Sequence, residues 1–156
     1  MLLNKQSNFE RRGVTVVETA IVISVALMMI FAVFEYGRYL MISDLVNNAV
    51  REGARQAVVT TNTQNTANIQ NTVIYYLGGQ SLVNSQGVGL QASDVQVFQA
   101  NANGTPIANM NWYDASFGTT IGVQVTVTYQ PILPTLGFLP KTFQLQSTAM
   151  MTSEAN

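Results

Sequence analysis

At 156 residues the chain has room for one apolar membrane segment and a single small domain of roughly a hundred residues. A net charge of −1 gives no electrostatic case for nucleic acid or for an anionic surface. With no histidine and no cysteine, the usual general base, thiol nucleophile, zinc ligands and any disulfide brace are excluded together.

The placement of charge says more than its sum. Eleven of the fifteen charged residues lie before Gln56, leaving Asp94, Asp114, Lys141 and Glu154 for everything after it. That remainder is rich in Asn, Gln, Ser and Thr instead. Such a composition suits a subunit packed among neighbours or held at a membrane, and equally a poorly charged exported domain.

Residues 1–13 form a basic leader, with Lys5, Arg11 and Arg12 against Glu10. An apolar run follows at once. Residues 14–34 contain Glu18 as their only ionised group, and at 1.5 Å per helical residue they span roughly 31 Å, close to the hydrocarbon thickness of a bilayer. The basic flank predicts a single-pass protein in the cytoplasmic (inner) membrane, N-terminus in the cytoplasm and C-terminal domain outside. A carboxylate inside such a segment is expensive, so Glu18 is either a functional group with a partner or a side chain that snorkels to the headgroups. At the far end, Phe34-Glu35-Tyr36-Gly37-Arg38-Tyr39 has the composition of a membrane–water boundary. Tyr36 and Tyr39 read as belt residues, Arg38 as a snorkelling cation, and Glu35 as its i, i+3 partner; Arg11 and Arg12 mark the other boundary.

A helical period continues beyond the apolar run. Tyr39, Ile42, Val46, Ala49, Gly53 and Ala57 recur at three and four residues, while Asp44, Asn47, Asn48, Arg51, Glu52 and Arg55 fill the opposite face. The expectation is one helix over 14–59, roughly 69 Å long, with 35–59 as its amphipathic half; a break near Gly37 is the alternative. Gly37 and Gly53 read as close-packing points against neighbouring helices or as plain spacers. Residues 60–156 are expected to form a small extracytoplasmic domain. Within it, 60–65 read as a linker and 66–77 as a short helix on Ile69, Val73 and Leu77, stopped by Gly78-Gly79.

The period then becomes two. Val95 and Val97 open one strand, Asn101-Ala102-Asn103-Gly104 reads as a hairpin turn, 121–129 is apolar at every odd position, and 142–151 alternates likewise. This predicts an antiparallel sheet with one face covered by the long helix. Residues 131–140 carry three prolines and five large apolar side chains, which either cap the sheet edge or offer a sticky surface. Asp94 and Asp114 fall in turn regions, where capping is the ordinary use of Asp, and no phosphate loop, nucleophile elbow or calcium loop is present. The expectation is a non-enzyme without cofactors.

Gly13-Val14-Thr15-Val16-Val17-Glu18 resembles the type IV prepilin processing site, with Gly before the cut and Glu at the fifth mature position. Val17-Glu18, Phe34-Glu35-Tyr36-Gly37-Arg38 and Ala49-Val50-Arg51-Glu52-Gly53-Ala54-Arg55 are similar to the TadE-like family, minor pseudopilins of the tight-adherence (Flp) pilus. The resemblance is strong over 11–59, loose over 120–154 and absent over 60–119. It implies a pilin-like α+β fold, with a long N-terminal helix, a short second helix and a small antiparallel sheet. It also implies cleavage between Gly13 and Val14 by a prepilin peptidase, Glu18 as the assembly carboxylate, and homo- or hetero-oligomeric partners among pilus subunits and their assembly platform. Val14 stands where most type IV pilins carry Phe. The rival expectation is a singly anchored extracytoplasmic binding or adhesion module.

Overall fold

The computed structural model describes residues 7–78, 82–101, 103–132 and 142–154, with side chains from Gly13 onward. The leader's first six residues, Gly79, Ala102 and most of the proline-rich 131–140 stretch lie outside the described residues.

Helix α1 runs Ser7–Val59 without interruption. It begins about two turns before the expected start, because no proline occurs before Pro106 and nothing in the leader's composition forbids helical backbone. Gly37 lies inside it, so the alternative of two helices broken there is not realised. The chain nevertheless divides into two compact units, Met1–Arg38 and Tyr39–Asn156.

In the second unit α1 ends where its periodic apolar stripe ends. Thr60 N–H still reaches Gln56 O at 3.0 Å, after which Thr61–Thr63 tighten into a 3-10 turn and Gln64 takes a left-handed conformation (φ 50°). Asn65 then caps α2 (Thr66–Leu77), its side chain accepting the Asn68 N–H at 3.1 Å. Ile69, Val73 and Leu77 face inward, as the four-residue spacing predicts.

Strands β1 (Val95–Ala100), β2 (Thr120–Tyr129) and β3 (Phe143–Thr152) form one antiparallel sheet in the order β1-β2-β3. Val125 stands opposite both Val95 and Ser147, which fixes the register across all three strands. The odd positions of β2, Ile121 to Tyr129, are buried without exception. They meet Ile42, Val46, Ala49, Val50, Ala54 and Ala57 of α1 and the inner face of α2 in one core. Each buried Val or Ile contributes roughly 1.5–3 kcal/mol, and α1's alanines let the helix lie close to the sheet. The Ser147 hydroxyl on β3 donates to Asn47 Oδ1 at 2.7 Å, a second tie between sheet and helix. This is the expected α+β, pilin-like layout, with one sheet face covered and the other carrying Gln96, Gln124, Thr126, Gln144, Gln146 and Thr148.

The β1–β2 connection departs from a simple hairpin. Gly104 N–H bonds to Asn101 O at 2.9 Å, so the turn forms, but the returning chain bridges only at Pro106 and β1's strand partner is β2. The intervening chain delivers Trp112 into the core, where its Nε1–H donates to Thr66 Oγ1 at 2.7 Å. That bond pins the first turn of α2. Trp112→Phe is expected to destabilise the second unit by about 1–2 kcal/mol, chiefly through the lost hydrogen bond, and to lower its thermal midpoint in tyrosine near-UV circular dichroism. An unchanged midpoint would mean the bond contributes nothing.

Candidate functional site: the apolar helix and its carboxylate

The first unit consists of one apolar helical surface. Val14, Val16, Val17, Ile21, Val22 and the large side chains through Phe34 are exposed, and none of the most apolar 18-residue window is buried. A helix with that composition and no apolar stripe tucked into its own chain is long and apolar enough to cross a membrane; it is the one candidate span among the described residues. Its hydroxyls are satisfied internally. Thr19 Oγ1 donates to Thr15 O and Ser24 Oγ to Ala20 O, each at 2.8 Å, which removes the cost of unpaired donors in hydrocarbon.

Glu18 is exposed on this surface, and among the described residues no cation pairs with it. At i, i+4 spacing it shares a helix face with Val14. Gly13 lies within α1, and a Cβ built on it would meet nothing within 4 Å. The fold therefore places no steric demand for glycine there. Arg11 and Arg12 belong to the same helix, and their side chains lie outside the described ones.

At the other end, Arg38 Nη1 lies 3.7 Å from Glu35 Oε1, the i, i+3 pairing read from the sequence. Tyr36 is 63% exposed, as a belt residue would be. Tyr39 has a role that local sequence does not reveal. It belongs to the second unit, where its ring packs edge-on against Tyr129 (5.7 Å between centroids) and Phe143 (6.3 Å), closing the core at the end of β2 and the start of β3. Gly37 has nothing within 4 Å of a built Cβ, whereas Gly53 faces α2 of its own chain.

Among the described residues no three acidic side chains converge as a metal site; Asp94 caps its turn, its Oδ2 accepting the Gln91 N–H at 2.9 Å, whereas Asp114 Oδ2 accepts from the Asn111 side-chain amide at 3.0 Å.

A long apolar helix with one carboxylate near its start, followed by a small α+β domain, is a pilin-like layout with one candidate membrane span. Residues 13–55 match the family model of TadE-like proteins. Neither the curated proteins nor the solved structures searched contain a match to the chain.

Proposed function

We propose that this chain is a minor pilin or pseudopilin of a tight-adherence machine. A prepilin peptidase cuts it after Gly13. The protein is held in the cytoplasmic membrane with its C-terminal domain outside, and it joins other subunits on the assembly platform through its N-terminal helix. The observation that carries this reading is Glu18, a lone carboxylate on an apolar helix that is not buried in its own chain. After the cut, the new amine of Val14 and the Glu18 carboxylate lie on one face of one helix end. Within a subunit the helix N-terminus favours the carboxylate. Between subunits, pairing of one carboxylate with the next amine fixes the stagger of adjacent helices.

Gly13 fits the same reading. A helix holds glycine about 1 kcal/mol less well than alanine, so α1 opens most easily at the bond to be cut. Since packing does not require glycine there, its requirement is the peptidase's. The mature protein is expected to begin at Val14, and Gly13→Leu is expected to leave insertion unchanged while blocking the cut. N-terminal sequencing of both proteins tests this, and an uncut wild-type chain in a cell with active prepilin peptidase overturns it. In the rival reading the helix is only a tether for an extracytoplasmic binding module, and neither the cut nor the carboxylate matters.

A further inference from the structure

Helix α2 buries Ile69, Val73 and Leu77, and a second face of it borders an open groove. Asn68, Asn71, Thr72 and Tyr75 recur at i, i+3, i+4 and i+7, forming one wall, and Gln56 in the last turn of α1 forms the other. The groove is open to solvent, measures about 450 Å³, and no charged residue lines it.

Three observations single it out. The Tyr75 ring is 81% exposed beside Tyr76, an aromatic surface with no packing function in the fold. The side-chain amides of Asn68 and Asn71 form no hydrogen bond within the described residues, so their donors and acceptors are open to a ligand. Gln56 Oε1 is buried without a partner, and an unsatisfied acceptor costs roughly 1–3 kcal/mol until a donor reaches it.

We propose that this groove binds a neutral saccharide. Carboxamides and hydroxyls each donate and accept, and so match vicinal sugar hydroxyls; an exposed tyrosine ring offers an apolar platform for the C–H face of a pyranose. The absence of charge in the lining disfavours acidic sugars, which would find no counter-ion. The site lies wholly in the second unit and involves neither Gly13 nor Glu18, so it stands or falls apart from the pilus assignment.

The test uses the full chain in phosphatidylcholine nanodiscs, free of sugar-based detergent, on an array of neutral and acidic glycans. Saturation-transfer NMR with methyl glycosides of galactose, mannose and N-acetylglucosamine follows. Binding to at least one neutral glycan is expected, reduced at least tenfold by Tyr75→Ala and by Asn71→Ala. Both substituted side chains are exposed, and an unaltered thermal midpoint confirms that the variants remain folded. A silent array, binding to acidic glycans alone, or neutral binding that survives in the Tyr75→Ala/Asn71→Ala double variant overturns the proposal.

Discussion

Glu18→Ala is expected to leave the protein in the membrane at wild-type abundance and to abolish piliation. An ionised group costs about 2.5–3.5 kcal/mol at the centre of a membrane helix and less near an end, where Glu18 lies, so removing it does not oppose insertion. Assembly is affected in the opposite sense. Two opposite charges 4 Å apart attract by roughly 4 kcal/mol at an effective dielectric of 20, and part of that is spent on desolvation. A net loss of only about 2.8 kcal/mol per contact is a hundredfold in association. Glu18→Gln, which keeps the shape and removes the charge, is expected to be nearly as severe, because the proposed pairing depends on the charge. Immunoblots of membrane fractions against sheared surface pili give the two readouts. Normal piliation of Glu18→Ala cells would favour the tether reading.

The carboxylate stood out in the sequence for the same reason that it stands out in the structure: sixteen uncharged residues follow it, and the folded chain offers it no partner among the described residues. In the proposed reading its partner is the amine of a neighbouring subunit. The sheet was legible because burial is one-sided. Where every odd residue of β2 faces the core, the sequence has to alternate. The same holds for α1 from Ile42 to Ala57, where the period is 3.6 residues. Its start at Ser7 was not legible, because hydropathy records where the apolar surface begins and helical hydrogen bonding starts wherever nothing prevents it.

Long-range pairs left no periodic trace. Trp112 reaches back 46 residues to Thr66, and nothing near either residue announces the other. Tyr39 shows a related ambiguity. An aromatic ring with one polar end suits a membrane interface and the rim of a core equally well, and only the contacts to Tyr129 and Phe143 reveal its place in the second unit. In the same way, a glycine on a helix face says that something approaches closely, without saying what.

For Gly53 the approaching group is known. A Cβ there would stand 2.5 Å from Val73 Cγ2, 3.4 Å from Val123 Cγ1 and 3.7 Å from Ile69 Cγ2. Val73 is β-branched and helical, with one strongly preferred rotamer, so it cannot swing aside. Alanine at this position gains about 1 kcal/mol of helix propensity and loses about 1–3 kcal/mol to overpacking. The second loss dominates at so short a distance. Gly53→Val adds two methyl groups to the same clash without the full propensity gain, and is expected to cost 3 kcal/mol or more, about 10 °C or more in midpoint. The single tryptophan, Trp112, sits in the same core and reports the transition by fluorescence. Trimming the obstacle should reverse much of the effect. Gly53→Ala in a Val73→Ala background is expected to cost less than the two changes summed, with a coupling of about 0.5–3 kcal/mol. Gly37→Ala, which meets nothing within 4 Å, is expected to be neutral or stabilising. If Gly53→Ala behaves like Gly37→Ala, propensity outweighs contact, and the approach of α1 to α2 is looser than 2.5 Å implies.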